Sequence, residues 1–200
     1  MATETIVRIR TKLKDALNVA INLRAEGKDR DALIYMENVR PFFTDEPIYL
    51  RRFHNGLGLT HFNLQEYAEA IIEFREALEV PLTTDESWET LEVAAVHLNL
   101  ANAFLEVEST SEAHEILSSA ETLFREAHEQ SWLGETLETS ARVYLSEGKY
   151  REALDTAKEA VDILWDGLNV KSLGGAIRTL YRAFTAYEQS LVRDTEKALR

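Results

Sequence analysis

The chain has 200 residues, 45% of them hydrophobic, with three prolines and no cysteine. That is enough apolar side chain for a continuous core, and it leaves nothing for disulfides or thiolate metal sites. The formal charge of −13 is unevenly placed, since fifteen acidic side chains face a single basic one, Arg125, between Glu76 and Ala141. This argues against a general nucleic-acid binder, which needs a cationic footprint on phosphate. The acidic band reads either as a solvated set of helix faces or as a docking surface for a basic partner. No apolar run approaches the roughly eighteen residues of a membrane span. The opening MATETIVRIRTKLKDAL lacks the apolar segment of a signal peptide, so a cytoplasmic location is expected.

Helical periodicity runs through the chain. Residues 5–26 predict a first helix with Ile9, Leu13, Ala16, Leu17, Ala20 and Leu23 as its buried stripe, ended by Gly27. Asp29–Val39 predicts a second, with Ala32, Leu33, Met36 and Val39 inward. The stretch from Pro41 to Pro47 is a break, because proline lacks a backbone donor and restricts its predecessor. Phe53, Leu57, His61 and Leu64 then share a face, as do Tyr67, Ala70, Ile71, Phe74, Ala77 and Leu78. Gly58, Ala70 and Ala77 leave room for a neighbouring helix, and Phe74 is expected to fill the gap.

Pro81 and the polar residues to Ser87 make the next connection, with Thr83 and Glu86 spaced as a capping box. A long helix from about Asp85 to Val107 carries Leu91, Ala94, Ala95, Leu98, Ala101 and Phe104. Ser109 and Glu112 suggest a second cap, before a helix to about Glu129 bearing Ala113, Leu117 and Ala120. From Ser131 the pattern restarts, with Ala141 and Tyr144 on one helix, a turn at Gly148, and Tyr150, Ala153, Ala157 and Ala160 on the next. After a break at 166–171, residues 172–199 predict a last helix whose inner face is Ile177, Leu180, Tyr181, Phe184, Tyr187 and Leu191.

His54, Leu57, Gly58, His61, Ala70, Phe74, Ala77 and Pro81 stand in an order that resembles a tetratricopeptide repeat (TPR), with histidines in place of two aromatics. Leu100, Ala101, Phe104, Ala113, Leu117 and Ala120 repeat it, as do Ala141, Tyr144, Gly148, Tyr150 and Ala153. The aligned alanines Ala32, Ala70, Ala113 and Ala153 are 38, 43 and 40 residues apart, longer than the usual 34 or so. The resemblance implies an all-α, right-handed superhelix (TPR-like solenoid) in a single domain. Its four helical hairpins would span about 5–40, 48–81, 85–129 and 131–166, closed by a capping helix at 172–199 with a polar outer side.

The resemblance also implies a concave groove, lined by the first helix of each hairpin, for a peptide or amphipathic helix of another protein. Aligned groove positions include Leu17, Ile21, Arg24, Arg52, Asn55, Leu59, Phe62, Asn63, Leu98, Asn102, Leu105, Glu138 and Arg142. The lysine and asparagine clamp that some members use for a terminal carboxylate is not matched. The expected function is a non-enzymatic protein-interaction module. A client-holding chaperone of a secretion system and the ligand-sensing part of a peptide-responsive regulator are the alternatives.

Catalytic and cofactor signals are weak. His54, His61 and His97 fall at core-packing positions and are expected to be packed and hydrogen-bonded rather than metal ligands, while His114 and His128 fall on outer faces. Gly174-Gly175 is not followed by the lysine and threonine of a phosphate loop. Ser118-Ser119 has no base at a supporting spacing, and Arg8, Arg10, Lys12 and Lys14 read as a solvated helix face. No metal, cofactor or catalytic residue is expected.

Overall fold

The computed structural model describes residues 2–44, 46–83 and 87–199. Regular structure among them is entirely helical: α1 (Ala2–Ala25), α2 (Asp29–Val39), a 3-10 turn (Arg40–Phe42), α3 (Pro47–Asn63), α4 (Tyr67–Glu79), α5 (Ser87–Glu106), α6 (Thr110–Glu126), α7 (Gln130–Ser146), α8 (Tyr150–Asp166) and α9 (Val170–Ala198). The all-α, TPR-like hairpin architecture that the resemblance implies is the one observed. Asp85 and Glu86, expected at a helix start and in a capping box, lie outside the described residues. The chain forms two compact units, residues 1–103 and 104–200, with the division falling inside α5.

In the first unit α1 packs on α2 and α3, and α3 packs on α4. Leu13, Ala20, Met36, Phe43, Phe53 and Leu57 form its core. Phe43, delivered inward by the turn that contains Pro41, stacks on Phe53 at 4.5 Å. Ile9 departs from the expected stripe: it is 45% exposed and lines a surface cleft with Pro41, Phe42 and Thr44. The link before α5 is held by a buried ion pair, Arg51 Nη1 to Glu89 Oε1 at 2.8 Å. Arg51 Nη2 also donates to the carbonyls of Val80 and Pro81, each at 3.0 Å. Thr83 donates its backbone N–H to the Glu89 carboxylate, so one buried acid serves both Arg51 and the connection.

In the second unit α7 packs against α6, α8 and α9, and α8 against α9. Ala113, Leu117, Ala120, Ala141, Ala153, Ala157 and Ala160 are all buried, as the repeat pattern requires. Gly134 lets α8 approach closely, since a Cβ there would lie 2.4 Å from Leu164.

The expected inner face of α9 is displaced. Ala176, Thr179 and Ala183 are buried, whereas Ile177, Tyr181, Phe184 and Leu191 are 47%, 69%, 46% and 49% exposed; of the expected face, Leu180 and Tyr187 pack inward. The reason is polar: Thr179 donates to Glu138 Oε1 at 2.6 Å and Ser172 donates to Glu135. These partly buried carboxylates of α7 need donors, and alanines permit the close approach that supplies them. The polar outer side expected of a capping helix is therefore not what α9 presents.

Six connections share one backbone solution. Lys28, Glu66, Ser109, Glu129, Lys149 and Asn169 each donate an N–H to the carbonyl five residues back, over a left-handed residue at Gly27, Gln65, Glu108, His128, Gly148 or Leu168. This Schellman closure satisfies carbonyls left open at the helix end. Side-chain caps play little part: Ser109 makes no cap bond, and Ser111 bonds Glu112 instead. Asn169 does cap α9, accepting from the Ser172 N–H.

Candidate functional site

Residues of α1 and α3 face one another across a cleft of about 310 Å³ in the first unit. Six of the sequence-expected groove residues line it: Leu17, Ile21 and Arg24 from α1, and Arg52, Asn55 and Leu59 from α3. They converge because positions i, i+3 or i+4, and i+7 share a helix face, and Ala20 and Gly56 keep the floor low.

The polar groups of the cleft differ in how far they are committed. Arg52 is paired with Glu92, its Nε donating at 2.8 Å, and lies over the Trp88 ring. Asn55 Oδ1 accepts from Asn99 at 2.9 Å, which leaves its amide hydrogens for other acceptors. Arg24 Nε is buried with no hydrogen-bond partner among the described residues. Burial holds the Arg24 guanidinium below the ordinary arginine value, an effect that Asp29 opposes.

The other expected groove residues lie elsewhere. Phe62 packs edge-on against Tyr67, and Asn63 donates to Asp29 Oδ1 at 2.7 Å, joining two hairpins. Leu98, expected in the groove, is only 3% exposed and packs in the core instead. Asn102 donates to the Leu98 carbonyl, one turn back on its own helix. In the second unit, Leu105 and Arg142 share a separate surface cleft, with Arg142 donating to Glu106 at 2.9 Å. Glu138 is engaged by Thr179.

A polar cluster missed by the sequence reading sits on the α2–α3–α4 side of the first unit. Arg40 bonds Glu37 through two nitrogens at 2.9 and 2.8 Å and Glu73 at 2.8 Å, and His54 Nδ1 meets the other Glu73 oxygen at 2.7 Å. Burial pushes the Glu73 carboxyl up, but its bonds to His54 and Arg40 outweigh this and hold it below the usual range. Glu37, His61 and Glu73 each bring a ligand atom within 4.8 Å of the others. Arg40 already pairs with both carboxylates there. His61 is tied to Glu66 at 2.8 Å, so His54 and His61 are packed and hydrogen-bonded. His97 is packed too, yet its Nδ1 has no partner among the described residues, and burial lowers its pKa.

Helical hairpins with alanine and glycine contacts, joined by Schellman turns and presenting a cleft between first helices, make a TPR-like helical-repeat fold. The particular matches agree with that class. The sequence profile of the tetratricopeptide repeat matches residues 52–82, the α3–α4 hairpin. No curated protein gives a significant match. Among solved structures, the chain is similar to the nearly identical TPR-like repeats of a putative kinesin light chain from Podosopora anserina, at 17% identity and a TM-score of 0.71, covering 94% of this chain and 92% of that one. It is also similar to apo PlcR from Bacillus thuringiensis, at 14% identity and a TM-score of 0.73, covering 98% and 74%. PlcR in complex with the peptide PapR7 and DNA gives 14%, 0.65, 94% and 74%. At these identities the likeness is one of fold. Among the described residues, no helix is long and apolar enough to cross a membrane.

Proposed function

We propose that the chain is a non-catalytic interaction module that takes a peptide or amphipathic helix of another protein into the α1–α3 cleft. A cytoplasmic setting and a single domain of four hairpins followed by α9 belong to the same proposal. The observation that carries it is the convergence of Leu17, Ile21, Arg24, Arg52, Asn55 and Leu59 on one concave surface. Leu17, Ile21 and Leu59 supply an apolar wall, and Arg24 has a buried donor that a ligand acceptor would satisfy. Because the cleft is formed by two packed helices, little ordering is left for binding to offset. Phe62, Asn63, Leu98, Asn102, Leu105 and Arg142 lie outside this cleft and are not needed for it.

The test is selection from a random peptide library on immobilised wild type and on Ile21→Glu. Ile21 is 49% exposed, so the variant keeps the fold, which circular dichroism checks. Peptides retained by wild type should lose at least about tenfold in affinity, roughly 1.4 kcal/mol, on Ile21→Glu and on Arg24→Met. Equal retention by all three proteins removes the cleft from the function.

A second reading, the sensing part of a peptide-responsive regulator, is supported by the likeness to PlcR, whose complex holds a peptide and DNA. It differs in its readout: a short free peptide should raise the melting temperature of the isolated chain, whereas an adaptor needs its larger partner.

A further inference from the structure

The outward face of α9 carries a stripe with heptad spacing. Val170, Ile177, Phe184 and Leu191 recur every seven residues, with Gly174, Tyr181 and Glu188 at the intervening seam positions. Val170 and Tyr181 are 78% and 69% exposed, and the other three large apolar side chains of the stripe are about half exposed. Such a seam is what a partner helix requires, and an apolar surface of this kind on a folded unit marks an interaction site.

We infer that this stripe pairs with the same helix of a second copy of the chain, antiparallel, about a two-fold axis lying between Tyr181 and Phe184. Self-complementarity selects the occupant. With the axis there, Tyr181 faces Phe184 of the copy, and Leu191 faces Gly174, where the absent side chain leaves space. Val170 faces Thr195. Glu188, the one charge in the seam, falls over Ile177 and within reach of Arg178, an exposed cation on the flank of the stripe. A parallel pair would set Glu188 against Glu188 and leave two glycines facing each other, so both charge and size oppose it. The arrangement is isologous, as two-fold interfaces are. From Val170 to Leu191 the seam runs about 32 Å at ~1.5 Å per residue.

Sedimentation equilibrium of the 200-residue chain should show a dimer at micromolar concentration. Tyr181→Glu and Phe184→Glu should each make it monomeric with unchanged helicity, because both side chains are exposed, and should remove the concentration dependence that dimerisation gives the wild-type melting temperature. Orientation is readable because the chain has no native cysteine. Ile177→Cys and Glu188→Cys, mixed and oxidised, should form the mixed disulfide in preference to either homodisulfide. A wild-type monomer across the micromolar range, or a dimer indifferent to Phe184→Glu, overturns the inference and assigns the stripe to another occupant. Preferential homodisulfides overturn the antiparallel geometry. Neither result bears on the α1–α3 cleft.

Discussion

A Cβ placed on Gly58 would lie 2.5 Å from the ring of Phe74, so the α3–α4 hairpin closes by ring-on-backbone contact. Phe74 is fully buried. Phe74→Ala should cost about 3–5 kcal/mol, and Gly58→Ala about 1–3 kcal/mol through overpacking. The two should be strongly non-additive, since a smaller residue at 74 makes room for the methyl group. Urea unfolding of both singles and the double variant measures this. A loss below about 1 kcal/mol for Phe74→Ala would refute the packing.

Arg51 and Glu89 form an ion pair whose side chains are 1% and 0% exposed. Removing one partner strands a buried charge, so Glu89→Ala should cost about 3–5 kcal/mol. Replacing both, as Arg51→Met with Glu89→Leu, should cost less than either single loss would suggest, although the carbonyls of Val80 and Pro81 then lose their donor. A double-mutant cycle by chemical denaturation decides the point.

Leu168 is held in the left-handed region at φ 52 and is 82% exposed, so its side chain returns little for the strain. Leu168→Gly should stabilise the chain by about 0.5–1 kcal/mol, the relief of an unfavourable backbone conformation less the added freedom of unfolded glycine. Thermal and urea unfolding check the sign. A destabilised variant would mean that Leu168 makes contacts that outweigh the strain.

Burial lowers the folded-state pKa of His97 below its ordinary 6.5. The unfolded chain therefore binds the proton more readily, and stability rises with pH across the window between the two values. The contribution of His97 is complete above about pH 6.5 and is lost as pH falls through the lower folded value. His97→Gln should flatten the slope of unfolding free energy between about pH 7 and pH 5. An unchanged slope would place the proton uptake elsewhere.

Much of this molecule is legible locally. The bounds of α2, the small contact residues Gly58, Ala70, Ala113 and Ala153, the filler Phe74 and the turns at Gly27 and Gly148 follow from helical period, side-chain volume and the left-handed freedom of glycine. The six positions that meet in the α1–α3 cleft came instead from the resemblance to the tetratricopeptide repeat, whose register aligns those faces of the two helices. The left-handed residues Gln65, Glu108, His128 and Leu168 have no such signal. Their conformation is imposed by the hydrogen-bonded closure of the helix end rather than preferred by the side chain.

What only tertiary structure decided concerns partners far apart in the chain and choices between adjacent faces. Arg51 finds Glu89 across 38 residues, and Arg40 reaches Glu73 across 33, pairings that no periodicity encodes. In α9, Ile177, Tyr181, Phe184 and Leu191 form the larger apolar face, yet Ala176, Thr179 and Ala183 turn inward. A sequence reports how much apolar surface each face has. Close helix approach and the need of Glu135 and Glu138 for hydroxyl donors determined which face was buried, and the larger one was left for solvent or a partner.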